Sequence, residues 1–178
     1  MNLSDLSGDT ESEPMSVPTV DRLRFVAVTQ DDALAAPLLA ELAAEYADRY
    51  GGSPDAHHAA LRDYPHAEFE PPGGGMVLGV VDGVPVTGGA FRRYDDNTAE
   101  LKRIWTASGQ RRRGYASALL AELEAQIAHR GYRRIWLATG HRQPEAEGLY
   151  LSLGYRRADD RELIANGITY LRPFEKSL

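Results

Sequence analysis

Between residues 99 and 130 a strand-like run, a basic turn and an amphipathic helix follow one another, and this segment constrains the fold more than any other. Ala99-Glu100-Leu101-Lys102-Arg103-Ile104-Trp105-Thr106 reads as the strand. Downstream, Ala116, Leu119, Leu120, Leu123 and Ile127 recur at helical spacing until Gly131 stops the helix. Between them stands Arg111-Arg112-Arg113-Gly114-Tyr115-Ala116. A helix start carries backbone N–H groups with no intrahelical partner and the positive end of the macrodipole, so it can hold a pyrophosphate by amides as well as charge. Gly114 lets an anion approach the backbone closely, Ala116 is nearly as small, and the arginine forks suit phosphate oxygens. In isolation these six residues read more simply as a basic helix start exposed to water. However, a second strand, Arg133-Arg134-Ile135-Trp136-Leu137-Ala138-Thr139, follows the helix, and that order points to a ligand crevice beyond the C-terminal end of a strand.

The rest of the chain builds a mixed α/β domain around this unit. Residues 1–20 are rich in Ser, Pro, Thr and acid and are expected to be a disordered tail, leaving residues 21–178 as one domain. Residues 23–28 read as a first strand. A helix follows from residues 29–32, with Leu34, Leu38, Leu42 and Tyr46 on one face and Gly51-Gly52 at its end. Ser53-Pro54-Asp55 opens a short second helix to about Asp63. Residues 65–75, with Pro71-Pro72-Gly73-Gly74-Gly75, are expected to be a mobile loop without regular structure. The glycines precede a strand, unlike a dinucleotide-binding fingerprint, which joins a strand to a helix. Residues 76–81 and 84–94 flank Asp82-Gly83 as a hairpin, and Asp95-Asp96-Asn97 turns into the strand carrying Glu100. Ala146, Leu149, Tyr150 and Leu153 lie on a shorter helix between Pro144 and Gly154. Residues 156–163 and 168–173 around Ala165-Asn166-Gly167 read as a final hairpin.

Composition narrows the function. The chain has 178 residues and no cysteine, which excludes disulfides, thiolate metal sites and a cysteine nucleophile. Of the formal charge of −6, the five acids Asp5, Asp9, Glu11, Glu13 and Asp21 account for nearly all, so the remainder is close to neutral. That argues against nucleic acid as the main partner, although Arg92-Arg93, Arg133-Arg134 and Arg156-Arg157 could form a local patch. Residues 1–6 lack a basic n-region and an apolar core, and no later stretch is long enough to span a bilayer. The expected location is the cytoplasm, with no membrane partner. His57, His58 and His66 form the only histidine cluster, without the i, i+4 spacing of a helical metal site, so no metal is expected. Trp105 and Trp136 read as packing residues.

Two motifs carry a family resemblance. Arg111-x-x-Gly114-x-Ala116 resembles the acyl-CoA pyrophosphate loop of the GNAT superfamily of acyl-CoA-dependent N-acetyltransferases, written Gln/Arg-x-x-Gly-x-Gly/Ala. Gln143-Pro144-Glu145-Ala146-Glu147-Gly148-Leu149-Tyr150-Leu151-Ser152-Leu153-Gly154-Tyr155 is similar to its Asn/Gln-x-x-Ala-x-x-Leu-Tyr-x-x-x-Gly-Phe/Tyr segment, and the pair stands in the family's order and spacing. The resemblance covers about residues 76 to 157 well and residues 22 to 75 only as a helical pattern. It implies a mixed, mostly antiparallel sheet of about six to seven strands with about four helices. It also implies acetyl-CoA as acyl donor and a primary amine on a small molecule, peptide or protein as acceptor, and it is compatible with a homodimer. Arg111, Arg112, Arg113, Gly114, Tyr115, Ala116 and Ser117 would surround the pyrophosphate. The backbone of Ile104, Trp105 and Thr106 would pair with the pantetheine arm, and one of these amides could serve the thioester oxygen. Gln143 stands where the family often has Asn and could reach the pantetheine or the phosphates.

Acyl transfer to an amine needs a group to take the amine's proton, a donor for the oxyanion and an acid for the departing thiolate. With no cysteine and no convincing Ser-His-acid arrangement, direct attack by the amine is simpler than a covalent acyl-enzyme. Tyr150 matches the family's tyrosine beside the thioester sulfur; by spacing alone it reads as a core tyrosine with Leu149 and Leu153. Glu100 is the candidate base, on the assumption that strand parity puts it on one face with Ile104 and Thr106. It reads equally as a strand carboxylate paired with Lys102 or Arg103, and Glu68, Glu70 and Asp95 are lesser candidates. A non-catalytic acyl-CoA-binding module is the alternative from another class.

Overall fold

A computed structural model describes residues 22–178, so the expected acidic tail lies outside the described residues. The chain runs β1 (Arg24–Ala27), α1 (Ala36–Tyr50), α2 (Pro54–Arg62), β2 (Gly75–Val81), β3 (Val84–Arg93), β4 (Thr98–Thr106) and α3 (Tyr115–His129). It continues through β5 (Arg134–Gly140), α4 (Pro144–Ser152), β6 (Arg156–Arg157), α5 (Arg161–Ala165) and β7 (Leu171–Ser177). The seven strands form one sheet in the order β1-β2-β3-β4-β5-β7-β6. Every neighbouring pair is antiparallel except β4 and β5. This is the mixed, mostly antiparallel sheet expected, with four helices longer than two turns.

Local chemistry explains the helix starts. The Asp32 carboxylate accepts from the Leu34 N–H at 2.8 Å in a short 3-10 turn, which leads into α1 with Pro37 at its first positions. Ser53 Oγ accepts from the Ala56 N–H at 3.1 Å ahead of Pro54 at the start of α2. Leu38, Leu39, Leu42 and Ala43 are the buried face of α1, whereas Leu34 is partly exposed. The three buried leucines pack with Leu78, Ala90 and Trp105. A second cluster gathers Leu119, Leu120, Leu123 and Ile127 of α3 with Ala99, Leu101, Leu137, Tyr150 and Phe174.

Two expectations change. Residues 156–163 are not one strand: β6 is two residues long, α5 occupies the turn, and β7 runs to Ser177. The alternation of Arg156 to Leu163 is too weak to hold an edge strand, and the turn residues complete a helix instead. Residues 65–75 are also not an untethered loop. His66–Phe69 form a 3-10 turn with Phe69 buried, Tyr132 Oη donates to Gly73 O at 2.7 Å, and Arg130 reaches the carbonyls of Pro72 and Gly74. Side chains of distant elements thus supply bonds that the segment's own backbone does not.

The feature that positions the site is the brevity of the β4–β5 pairing. Thr98, Ala99 and Glu100 pair with Arg134, Ile135 and Trp136, and the ladder stops there although both strands run on. Residues 101–106 therefore keep one edge of β4 free of a strand neighbour. Two cavities open along that edge.

Candidate active site

The first cavity, of about 440 Å³, lies between the end of β4 and the start of α3. Ile104, Trp105, Thr106, Arg111, Arg112, Gly114, Tyr115, Ala116, Ser117 and Gln143 all border it, so ten of the residues expected around the cofactor come together. Arg113 does not border it. Gly114 sits at φ +81° as the residue before α3, a left-handed conformation that glycine takes without penalty. The first helical bond runs from the Ala118 N–H to Gly114 O at 3.1 Å, and among the described residues no backbone amide from 111 to 117 donates to a backbone carbonyl. These amides are free of backbone partners at the positive end of the helix dipole, an arrangement that can hold an anion.

Charge around this cradle is partly tied up. Arg111 is bonded to Glu45 at 3.1 Å and reaches Thr106 O at 3.4 Å. Glu45 also holds Arg49, at 2.9 Å, and Arg49 in turn pairs with Glu145. Arg112 and Arg113 have no side-chain partner among the described residues. The side chains of Tyr115 and Trp105 point away from this task. Tyr115 is buried among Leu23, Val81 and Val86, and Trp105 Nε1 donates to Glu41 at 3.1 Å, so both offer the cavity mainly their backbone. Glu41 also accepts from the Ser108 N–H at 3.1 Å, which fixes the turn after β4 to α1.

The second cavity, of about 380 Å³, lies between β4, β5 and the end of α1. It shares Ile104, Gln143 and Tyr150 with the first, so the two cavities adjoin, with Tyr150 bordering both. Tyr150 is 5% exposed, its ring set edge-on to Tyr155 at 5.5 Å and near Phe174 at 5.9 Å. Its hydroxyl has no hydrogen-bond partner among the described residues, and burial pushes its pKa well above the usual phenol range. The ring is therefore a core residue, as spacing alone implies, while its hydroxyl is a free donor. Gln143 is engaged on both sides: its amide nitrogen donates to Tyr50 Oη at 3.2 Å and its oxygen accepts from Thr139 Oγ1 at 3.4 Å. Gly140 makes room for this arrangement, since a Cβ there would lie 1.7 Å from Tyr50 Oη.

Glu100 stands apart. Opposite Gly89, between the pairs Gly88–Trp105 and Ala90–Lys102, β4 contains two residues, Arg103 and Ile104, and Arg103 has φ +59°. This bulge reverses the alternation of side chains. Ile104 consequently packs with the cluster of Ala99 and Leu101, on the face away from Glu100, and the parity assumed from sequence does not hold. Glu100 is 4% exposed, accepts from Arg92 Nε at 2.6 Å and lies 3.0 Å from Lys102 Nζ. It lines neither cavity, and neither do Glu68, Glu70 or Asp95. Glu68 belongs to the same ion-pair group, through Arg92 Nη1 at 2.6 Å and Tyr64 Oη at 2.8 Å.

Sequence reasoning missed Arg103, Tyr46 and Tyr50 as cavity residues. Tyr46 and Tyr50 do stand four apart on α1, but nothing in the sequence says that the helix end reaches β5. His57, from the histidine cluster, borders the second cavity with Nε2 2.8 Å from Gly51 O. No group of three or more His, Cys, Asp or Glu that could hold a metal ion occurs among the described residues. Trp136 is only half-buried and stacks on Tyr94 at 5.2 Å between centroids.

Comparison with known proteins adds three findings. A family model described as the acetyltransferase (GNAT) family matches residues 38–155. Among solved structures, the chain is similar to a PaiA N-acetyltransferase from Thermoplasma acidophilum in complex with coenzyme A, with a TM-score of 0.69 at 14% identity over 88% of this chain and 99% of that one. It is also similar to an acetyltransferase from Thermus thermophilus, TM-score 0.67 at 19% identity over 88% and 97% of the two chains. A GNAT family acetyltransferase from Elizabethkingia anophelis with acetyl-CoA bound gives a TM-score of 0.61 at 17% identity over 89% and 99%. No curated protein sequence matches this chain.

Proposed function

The chain belongs to the GNAT acetyltransferase family, and on that premise we propose that it transfers the acetyl group of acetyl-CoA to a primary amine by direct attack in a ternary complex. The observation that carries this reading is the adjacency of the two cavities: free amides before α3 border one, the other opens between β4 and β5, and Tyr150, whose hydroxyl has no partner among the described residues, lines both. Two cavities that share a wall residue let two substrates approach that residue from different sides. Two of the solved relatives hold coenzyme A or acetyl-CoA, which supports the same donor here.

In this reading the amides of residues 111–117, with Arg111 and Arg112, hold the pyrophosphate. The free edge of Ile104, Trp105 and Thr106 takes the pantetheine arm as an added strand, and one of these amides faces the thioester oxygen. The acceptor amine enters through the second cavity, gives its proton to solvent water and attacks the thioester carbon. The carbon–sulfur bond breaks, and the Tyr150 hydroxyl supplies the proton that the departing sulfur takes. A phenol is protonated at neutral pH, the form a donor requires, and burial extends that form to higher pH. Glu100, with its carboxylate on Arg92 and Lys102, is assigned a positioning role: it sets Lys102 at the wall of the acceptor cavity. The absence of cysteine and of a long apolar helix among the described residues supports a cytoplasmic setting.

The test is thiol release from acetyl-CoA across a panel of primary amines. The reading predicts release that depends on the amine and yields the N-acetyl product in equal amount. Acetyl-CoA binding with no amine-dependent release across the panel would make the chain a non-catalytic acyl-CoA-binding module.

A further inference from the structure

The wall of the acceptor cavity carries a buried cation that no carboxylate among the described residues neutralises. Arg103 is 8% exposed, and its guanidinium donates to Gln30 Oε1 and to Leu61 O, both neutral. It lies over the rings of Phe69 at 4.7 Å and Tyr64 at 5.7 Å. It takes part in no salt bridge, and its Nε has no partner among the described residues. Burial lowers its pKa to about 10, as expected for a charge held away from water without a counter-ion. An unpaired buried charge is costly, and chains retain one where a ligand completes it. The backbone here is also strained, since the bulge holds Arg103 at φ +59°.

The lining around it has the same sign. Lys102 and His57 border the cavity with Arg103, Tyr46, Tyr50 and Tyr170 contribute aromatic surface, and no Asp or Glu lines it. Lys102 already has Glu100 at 3.0 Å, which leaves Arg103 as the lining cation without a carboxylate partner among the described residues. An acceptor bringing only ammonium groups would meet like charge on this wall. One that carries its own carboxylate beside the amine would supply the missing partner, in the planar fork geometry that guanidinium offers.

We infer that the acceptor is a small primary amine bearing a carboxylate, of the amino-acid type, and that Arg103 is the residue that binds that carboxylate. This rests on the N-acetyltransferase reading above. The experiment uses matched pairs of an amino acid and its decarboxylated amine: phenylalanine with phenethylamine, tyrosine with tyramine, lysine with cadaverine. Two readouts are taken, kcat/KM for acetyl transfer and calorimetric binding to the CoA-saturated protein. The acid member of a pair is expected to exceed its amine by about ten- to a hundredfold in kcat/KM, the range of a charge-assisted hydrogen bond. Arg103→Met is expected to bring that ratio to about one. Arg103→Lys, which keeps the charge and loses the fork, should lower it several-fold and serves as the decisive variant if Arg103→Met does not fold.

Transfer to the amines as efficient as to the acids, or an acid-to-amine ratio unmoved in a folded Arg103 variant, overturns the inference while leaving the transferase reading intact. Acids that bind through Arg103 without being acetylated leave the carboxylate subsite standing and remove the transferase reading. Neither binding nor acetylation of any member removes both.

Discussion

Tyr150→Phe separates a donor from a packing residue because its hydroxyl has no partner among the described residues. Removing it leaves no buried group unsatisfied, and the ring contacts to Tyr155 at 5.5 Å and Phe174 at 5.9 Å remain. Stability should therefore change by no more than about 0.5 kcal/mol, against the 1–3 kcal/mol scale that breaking a buried hydrogen bond would show. The cradle at residues 111–117 is untouched, so acetyl-CoA affinity should stay at the wild-type value. Turnover is where the change falls. Losing a positioned proton donor lowers kcat by about ten- to a thousandfold, equivalent to roughly 1.4–4 kcal/mol of transition-state stabilisation. Urea unfolding, acetyl-CoA titration and thiol release with an acceptor that the wild type acetylates measure the three quantities separately. A variant turning over at the wild-type rate would refute the reasoning, since the departing sulfur would then take its proton from water or another group.

Three further outcomes follow from the same geometry. Glu45→Gln frees Arg111 from its 3.1 Å partner and removes a carboxylate from the edge of the cradle, so acetyl-CoA should bind tighter by up to about fivefold, about 1 kcal/mol; calorimetry showing unchanged affinity would mean that Arg111 takes no part. Burial raises the pKa of Tyr150, and burial with the charge and hydrogen bond of Glu124 raises that of Tyr155, so the native state keeps protons that the unfolded chain releases near its tyrosine pKa of about 10. Stability should hold flat below that pH and fall as pH rises through it, less steeply in Tyr155→Phe; urea midpoints with the same slope in both proteins would contradict this. Glu100→Gln should leave the acid limb of the pH–rate profile in place, because its carboxylate is bound to Arg92 and Lys102 outside both cavities; a displaced limb would make Glu100 the base through water.

How much of this was legible in the sequence depends on whether the signal was local. The turn at Gly114 and the start of α3 were, because Gly114 and the helix beginning at Tyr115 are set by neighbouring residues and by the periodicity of Leu119, Leu120, Leu123 and Ile127. The order of strands through β5 was legible for the same reason. The bulge at Arg103 was not: no glycine marks it, and one extra residue in β4 moves Ile104 to the face opposite Glu100. Alternation counted along the strand therefore misassigned the face of a candidate base while placing Tyr150 on the core stripe correctly. The acceptor cavity was least legible. Tyr46, Tyr50, His57 and Arg103 are distant in sequence and meet only because β4 and β5 stop pairing after Glu100 and Trp136.

The central claim is that residues 111–117 hold the pyrophosphate of acetyl-CoA, and calorimetric titration of the full chain with acetyl-CoA tests it most directly. Gly114→Glu puts bulk and negative charge in the cradle but also forces a side chain into a φ of +81°, so Ala116→Glu, within the first turn of α3, is titrated beside it. Melting curves without ligand establish that each variant is folded. The account predicts saturable binding by the wild type that weakens with salt and raises Tm, with binding and the Tm rise both lost in the folded variants. A folded Gly114→Glu or Ala116→Glu protein that binds acetyl-CoA as tightly as the wild type would contradict it.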